Sequence, residues 1–429
     1  MHRPWVRLLQ LFPLLLAVAC ASASPPAPPL AVAAAFPPPS VSAPTLLSRG
    51  STSPEASSSE PPPAPNFPHG VGVRARLVRS LAALADRAQD RGWTHGVMIL
   101  DGETGVILFA RDEDTLLIPA SNTKLFTTLG ALDLLGAEHR PEIRFELAGI
   151  EGSRAATLIV DGQLCPLGAP FDLGMEKAAS SLLKALAERK ITRIDRMVVR
   201  TPALVAPDRY KELDLTEHSE RTAAQLRKAL RKARVTVGKL VKESDVKGEP
   251  VARYPGPTLA EWITPINQLS HNGLADGLCR YLGLVKGKGA SYAEGTSLIR
   301  EAIEARQIAP PTLADGSGLS RQNRSSVRTI AALLRDAREV APFVASLSVA
   351  GESGTLAGRF KNTPLQGRIR GKTGTLKEVI ATSGYLDHPN DGRRYIFALV
   401  TNGVEDGKGA EVRQLHDALL GVLGDYWMK

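Results

Sequence analysis

The stretch Pro119-Ala120-Ser121-Asn122-Thr123-Lys124-Leu125-Phe126 constrains this chain more than any other. Pro119 and Asn122 suit a loop that turns into a helix, and the apolar run from Leu125 to Leu135 continues at helical spacing. A helix brings residues three apart onto one face, so the Ser121 hydroxyl and the Lys124 amine meet at its first turn. A serine hydroxyl is a poor nucleophile at neutral pH unless a base takes its proton. A lysine can be that base when burial and neighbouring cations depress its pKa. The helix N-terminus adds free N–H groups and positive potential, which suit a developing oxyanion. The spacing alone carries little weight, and a helix cap with a surface lysine would show it too. Ser181-Leu182-Leu183-Lys184 repeats it inside an ordinary amphipathic pattern, with no loop before the serine.

The chain has 429 residues, 43% of them hydrophobic and 23% charged. That is enough for two domains, or for one large domain with an insertion. The formal charge of +9 suits anionic polymers or membrane surfaces and does not select nucleic acid, so no nucleic-acid partner is expected. The sequence shows no zinc-type Cys/His spacing, Walker loop or Rossmann glycine pattern, so neither metal nor cofactor is expected. Arg3 and Arg7 precede an apolar run from Leu8 to Ala19, too short to span a bilayer, which reads as an export signal over residues 1–20. Ala17-Val18-Ala19-Cys20 resembles a bacterial lipobox, which would make Cys20 the lipidated residue and a membrane anchor. Ordinary signal-peptidase cleavage nearby, for instance after Ala23, is the alternative. Both place the mature chain outside the cytoplasm, in the periplasm. Cys165 and Cys279 then remain, either as a disulfide or as two buried thiols.

Residues 21–70 are rich in Pro, Ala and Ser with almost no charge, and read as a disordered tether. A helix is expected from Arg74 to Arg91. Two β-rich runs, Thr94 to Leu100 and Gly105 to Ala110, are joined by Asp101-Gly102-Glu103-Thr104, a hairpin signal. Residues 141–249 read as a small inserted α/β domain, with residues 71–140 and 250–429 forming the catalytic unit. The insertion holds strands at Leu158 to Val160 and Arg196 to Val199 and helices at Met175 to Lys190 and Thr222 to Ala233. The second helix carries Arg227, Lys228, Arg231, Lys232 and Arg234. That run is either a solvated face or a surface for glycan or membrane. The polar stretch from Lys239 to Pro257 marks the insertion's end.

Two more motifs follow Ser121 in order. Ser270-His271-Asn272 lies in a loop before a helix expected near Leu274. Lys372-Thr373-Gly374 lies on a strand followed by strands at Val379 to Leu386 and Arg394 to Val400 and a closing helix from Ala410 to Tyr426. Ser-x-x-Lys, an SDN-like element and KTG in this order belong to penicillin-binding proteins and class A β-lactamases. Asp315-Gly316-Ser317-Gly318-Leu319-Ser320-Arg321, Gly354-Thr355-Leu356 and Gly371-Lys372-Thr373-Gly374-Thr375-Leu376 narrow the match. On these blocks the chain resembles the D-alanyl-D-alanine carboxypeptidase/endopeptidase family of class C low-molecular-mass penicillin-binding proteins, over residues 75–140 and 255–429.

The resemblance implies an α+β, β-lactamase/transpeptidase-like fold. Its parts are a five-stranded antiparallel sheet flanked by helices, an all-helical subdomain with the site between them, and a shortened inserted domain. It implies a serine peptidase that removes the terminal D-Ala from peptidoglycan stem peptides or cuts D,D cross-links, with β-lactams as covalent inhibitors at Ser121. Lys124 is then the base, Ser270 a proton relay, and Asn272 the group that orients the substrate amide and Lys124. Lys372 supplies positive potential that keeps Lys124 neutral and attracts a carboxylate. Thr373, Gly374 and Thr375 line the substrate, the two threonine hydroxyls meet the carboxylate, and the backbone N–H groups of Ser121 and Thr375 form the oxyanion hole. A β-lactamase or esterase on the same scaffold, or a catalytically weak peptidoglycan-binding protein, are the other readings. Two departures stand out. The family's Gly-x-Gly-Asp-Pro block is present only as Asp161-Gly162-Gln163-Leu164-Cys165-Pro166. His271 takes the place of a common aspartate, either as a structural hydrogen bonder or as a group that alters the pH dependence.

Overall fold

The protein's computed structural model describes residues 71–242, 245–389 and 392–427. The export signal, Cys20 and the expected tether lie outside the described residues. The described chain opens with α1 (Val71–Gln89), β1 (Thr94–Asp101), β2 (Ile107–Arg111) and α2 (Thr123–Leu135). Next come β3 (Glu142–Glu151), β4 (Arg154–Asp161), β5 (Pro166–Leu167), α3 (Met175–Glu188), β6 (Arg193–Thr201), β7 (Leu204–Val205), α4 (Leu215–Lys232), β8 (Thr236–Val241) and β9 (Glu249–Pro255). Five helices follow: α5 (Leu259–Gln268), α6 (Asn272–Val285), α7 (Tyr292–Ala305), α8 (Val327–Asp336) and α9 (Ala341–Ala345). The chain closes with β10 (Ser348–Val349), β11 (Ile369–Leu376), β12 (Val379–Asp387), β13 (Arg394–Asn402) and α10 (Gly409–Trp427).

Strands from both ends of the described chain build one sheet in the order β10-β11-β12-β13-β1-β2. Every pairing in it is antiparallel. The five expected strands are there, and the two-residue β10 adds a short edge beside β11. At the β1–β2 turn the Asp101 carboxylate accepts the N–H groups of Glu103 (3.0 Å) and Thr104 (2.8 Å), the local bonding that makes aspartate a turn residue. β1 and β13 are buried almost end to end, so they read as continuous apolar runs and not as alternating ones. The two-residue period still sorts their side chains. Val97 and Ile99 join Leu77, Leu81, Leu419 and Leu423 beneath α1 and α10. Met98 and Leu100 join Phe126, Leu129, Trp262 and Ile330 on the opposite, helical side. Each such fully buried side chain contributes about 1.5–3 kcal/mol before entropy is counted.

On the helical side, residues 123–132 of α2 are all buried. A helix that is apolar nearly all round belongs inside a bundle, and α2 is enclosed by α5, α6, α7 and α9. The enclosure decides the fate of the one lysine it carries. α5 begins on a capping box in which Thr258 and Glu261 satisfy each other's backbone N–H groups.

The middle segment has a sheet of its own, β8-β6-β4-β3-β9. β4, β6 and β8 run parallel, which requires crossover connections; α3 and α4 supply them. Leu182 and Leu226 of these helices pack on Phe145, Leu158, Val160 and Met197 of the sheet. The expected end of the insertion at residue 249 is corrected: β9 pairs with β3 from Glu142↔Pro255 to Leu147↔Glu249, so this sheet runs on to Pro255. The polar, proline-containing stretch that reads as a boundary is an edge strand, where proline is tolerated. α4 also starts earlier than its apolar pattern suggests, because Asp214 caps it by accepting the N–H groups of Thr216 and Glu217. Cys165 and Cys279 are free and buried. They belong to different cores, Cys165 to the second sheet and Cys279 to the helical side, so the disulfide alternative falls.

Candidate active site

Ser121 sits in a single 3₁₀ turn, Ala120–Asn122, that leads directly into α2. Ala120, just before it, holds φ 49°. This left-handed conformation is unusual for a residue with a Cβ and is kept only where the surroundings enforce it. Two glycines provide that enforcement. A Cβ on Gly318 would lie 2.0 Å from the Ala120 carbonyl oxygen, and one on Gly374 would lie 3.2 Å from both the Ala120 Cβ and the Pro119 oxygen. The Gly318 loop and β11 therefore press on the turn from two sides. From within the turn, Asn122 donates to Ser383 Oγ at 2.8 Å, and Ser383 is the β12 partner of Lys372.

The three sequence motifs converge here. Lys124 Nζ lies 3.2 Å from Ser121 Oγ, 2.7 Å from Asn272 Oδ1 and 2.5 Å from the Ser317 carbonyl oxygen. The amide of Asn272 is oriented by its other end, since its Nδ2 donates to the Tyr210 carbonyl at 3.4 Å and a carbonyl can only accept. Two of the three groups around Nζ are thus pure acceptors. A neutral amine has two N–H donors and one lone pair; with the donors on Asn272 and Ser317, the lone pair faces the Ser121 hydroxyl. Burial moves Lys124 toward that neutral form. It is fully enclosed, and its pKa falls to about 8, first through desolvation, while Asp276 and Asp315 pull it back upward.

Lys372 donates to Ser270 Oγ and to the Thr373 carbonyl, both at 2.8 Å. It too is fully buried, and desolvation, followed by the charges of Lys124 and Arg209, holds its pKa well below the ordinary lysine value. Burial is the leading cause of the lowered pKa at both lysines. Ser270 reaches this position with φ 57°, a second left-handed residue with a side chain at the site. Asn272 is the first residue of α6, not part of the preceding loop. His271 caps that helix, its Nδ1 accepting the Leu274 N–H at 3.2 Å. Burial, then Lys124 and Arg209, lower its pKa to about 4. A neutral cap is the structural one of its two expected roles.

Thr373 of β11 begins a directional chain of hydroxyls. Ser348 Oγ meets the Gln268 carbonyl at 3.1 Å, which only accepts, so Ser348 is the donor. Thr355 must then donate to Ser348 (3.2 Å), and Thr373 to Thr355 (2.7 Å). The Thr373 hydroxyl is thus directed to Thr355. Thr375, two residues along β11, is exposed, and Gly374 between them lets the strand approach Ser121.

Several residues at the site were not read from the sequence as functional. Ser317, which accepts from Lys124, and Asp315, which shapes its loop, lie in a block that serves in the sequence only to narrow the family resemblance. Asp276 stands four residues after Asn272, a helical repeat that was available to see. Arg209 and Tyr210 come from the middle segment. Arg209 O accepts the Asn272 N–H at 3.0 Å and Asp208 O the Gly273 N–H at 3.3 Å. Tyr210 is 73% exposed, its ring under the Arg209 guanidinium at 5.2 Å. Nothing in the local pattern of these residues signals a contact between distant segments. Among the described residues, no cluster of His, Cys, Asp or Glu could hold a metal ion, and no helix is long and apolar enough to cross a membrane.

A serine–lysine pair between an antiparallel sheet and a helical bundle, with a second lysine on the neighbouring strand, defines the penicillin-binding, β-lactamase-like class of serine enzymes. The sequence matches the D-Ala-D-Ala carboxypeptidase 3 (S13) family over residues 77–201 and 179–422, and the chain belongs to that family. It is 28% identical over 477 aligned positions to a D-alanyl-D-alanine carboxypeptidase of an Actinomadura species, covering 85% of this chain and 87% of the relative. Penicillin-binding protein 4 of Haemophilus influenzae has the same fold, with TM-score 0.68 and 20% identity, over 80% of this chain and 99% of that one. A predatory endopeptidase of Bdellovibrio bacteriovorus, solved acylated by penicillin G with an immunity protein, superposes with TM-score 0.54 at 18% identity, over 77% and 92% of the two chains.

Proposed function

We propose that the protein is a serine-type D-Ala-D-Ala carboxypeptidase and D,D-endopeptidase acting on peptidoglycan stem peptides through an acyl-enzyme at Ser121. The observation that carries this is the placement of Lys124 Nζ 3.2 Å from Ser121 Oγ, with the Asn272 and Ser317 oxygens as its other two partners, so that in the neutral amine the lone pair is left for the Ser121 hydroxyl. Lys124 accepts the Ser121 proton as Oγ bonds to the carbonyl carbon of the penultimate D-Ala. The oxyanion forms toward the backbone N–H groups of Ser121 and Thr375; losing one such donor typically costs about 10²–10³ in rate. The C–N bond then breaks, and the leaving amine takes its proton by way of Ser270, which Lys372 holds at 2.8 Å. Asn272 fixes the amine of Lys124 and the substrate amide. Thr373, Gly374 and Thr375 receive the peptide's terminal carboxylate along β11. Water hydrolyses the ester and frees Ser121.

A penicillin enters the same sequence: its strained amide acylates Ser121, as in the acylated Bdellovibrio enzyme. A substrate outside the cytoplasm fits the export signal, and lipidation of Cys20 would anchor the enzyme beside the wall. Residues 141–249, with β9 beyond them, serve as an inserted domain whose Arg209–Tyr210 segment borders the site.

The test is labelled penicillin followed by peptide mapping, with mass spectrometry of products from purified muropeptides. Label on the Ser121 peptide, absent in Ser121→Ala, and release of D-Ala or of monomers from cross-linked dimers are the expected results. An unlabelled Ser121 peptide in folded protein would sink the proposal. Rapid release of hydrolysed penicillin would move the reading to a β-lactamase.

A further inference from the structure

Two buried carboxyl groups act on Lys124, and their surroundings are very different. Asp315 is saturated. It accepts the N–H groups of Gly318 (2.7 Å) and Ser320 (2.6 Å), the Asn323 amide (2.8 Å) and the Ser317 hydroxyl (3.4 Å). Those bonds shape the loop, and they are enough to explain why an aspartate is there. Asp276 is not saturated. It lies on α6, one helical turn after Asn272 and therefore on the same face, and it is 1% exposed. Its Oδ1 accepts the Gly316 N–H at 3.2 Å. Its Oδ2 has no hydrogen-bond partner among the described residues. The Ser317 hydroxyl is close enough to favour the ionised form, but its hydrogen-bond geometry is with Asp315. A buried polar atom left unsatisfied is destabilising, and a loop-shaping role does not account for this one.

We propose that Asp276 sets the base strength of Lys124, as a positioning residue that acts through the lysine and touches no substrate. The proposal rests on the reading of Ser121 and Lys124 given above. When Lys124 takes the Ser121 proton it becomes an ammonium inside a fully buried site, and that charge needs a counter-charge. Asp315 is committed to its loop. Asp276 acts on the same lysine, accepts the N–H of Gly316 beside the Ser317 carbonyl that Lys124 meets, and has an oxygen to spare. A lysine buried without Asp276 would be neutral at lower pH, and it would also be too weak a base to draw the proton from serine.

The groups facing the pair are consistent with this role. Toward Asp276 stand Lys124 from α2, Asp315 and Ser317 from the loop after α7, Cys279 one turn along α6, and Tyr292 of α7. Burial is the first cause that keeps Cys279 and Tyr292 protonated, and Asp276 adds to it in both. Toward Lys124 stand Asp276, Asp315, His271 and Lys372, the last two depressed by burial and by Lys124 itself. Asp276 is raised to about 7, first by burial and then by Asp315, with Lys124 opposing. Lys124 and Asp276 therefore titrate as a linked pair close to neutrality.

The experiment is the rate of Ser121 acylation by penicillin across the pH range, in the parent, Asp276→Asn and Asp276→Glu. Asp276→Asn removes the counter-charge, so Lys124 loses its proton at lower pH. The acid limb of the profile should move down by about one pH unit or more, and the plateau should fall by about tenfold as the base weakens. Asp276→Glu keeps the charge and should bring the limb back toward the parent. An unmoved limb in folded Asp276→Asn overturns the proposal, because a merely structural carboxyl would change the plateau and leave the limb in place. Reciprocity gives a second route that does not need that variant to fold. In Lys124→Gln the infrared band of a protonated carboxyl should persist to higher pH than in the parent, and a band that titrates unchanged also overturns the proposal. If the parent shows no label at Ser121, it is the reading of the site that fails, and the two failures stay distinct.

Discussion

The two faces of the main sheet each bury a polar network, and the two networks behave in opposite ways. On the face under α1 and α10, His95 Nδ1 meets Thr401 Oγ1 at 2.7 Å, Thr401 Oγ1 meets His416 Nε2 at 3.0 Å, and His416 Nδ1 meets Thr382 Oγ1 at 3.2 Å. The two imidazole rings stack at 5.5 Å. All these groups are neutral and most are answered from within, so the network does the work of packing. On the other face Lys124 and Lys372 are just as buried but ionisable, and the lone pair of Lys124 is answered only by Ser121. The sheet contributes neighbouring threonines and serines to both faces, so residue type does not separate them. The difference lies in what is buried. A network of imidazoles and hydroxyls, paired except at His95 Nε2, gives rigidity, whereas a buried amine beside a hydroxyl gives a reactive group.

The largest effect that can break this comparison belongs to Lys124. Lys124→Gln removes the proposed base but leaves a polar side chain for Asn272 and Ser317, so acylation by penicillin should fall by about 10²–10⁴. Thermal stability should hold or rise, because a buried amine that prefers water has gone. A variant that acylates within tenfold of the parent would mean that Lys124 is as structural as His416. Next in size is Gly318→Ala. Gly318 has φ 88°, and its new Cβ would meet the Ala120 carbonyl oxygen at 2.0 Å, so the Ser121 turn must move. The expected loss is about 10–10²-fold in acylation, as small displacements in pre-organised sites cost, with about 1–3 kcal/mol of stability, read by a melting curve. An unchanged rate would show that the strained turn at Ala120 does not hold Ser121 in place.

Most of the site-facing side was legible in the sequence, and the reasons are local. Ser121 and Lys124 share a helical face, Lys372 sits on a strand bounded by turns, and the 101–104 hairpin carries its own bonding residues. The resemblance added the order of the motifs and the sheet they would share. What escaped was set by contacts between distant segments. The Tyr210 carbonyl orients Asn272 across 62 residues, and the Gln268 carbonyl fixes the Thr373 proton through Ser348 and Thr355. β9 reads as a boundary because its prolines and charges suit an edge, and only its pairing with β3 makes it a strand. A depressed Lys124 is expected from the sequence, with burial among its causes; a depressed Lys372 is not, since the enclosure of both side chains is a property of packing. His95 and His416, 321 positions apart in the sequence, show no pattern that would pair them.

The smallest effect concerns that histidine pair and separates the two faces by pH. Burial, with Arg111 adding to it, lowers the His95 pKa to about 4, and burial holds that of His416 well below its ordinary value. Both are bases favoured neutral in the fold, with an unfolded value near 6.5. Their contribution is complete above that value and is lost as pH falls from about 6.5 toward 4, because the unfolded chain then binds protons that the folded chain refuses. For His95 alone the loss is on the order of 3 kcal/mol. Asp276, raised in the fold, shifts stability the other way over the same range, so the comparison must be made by difference. His95→Gln keeps a hydrogen-bonding partner for Thr401 and removes the titration. Denaturant unfolding at pH 7.5 and 4.5 should show this variant less stable than the parent at the higher pH, with a smaller loss between the two. An equal loss in both proteins would place the acid sensitivity elsewhere, and the network beneath α10 would no longer stand as the neutral counterpart of the site.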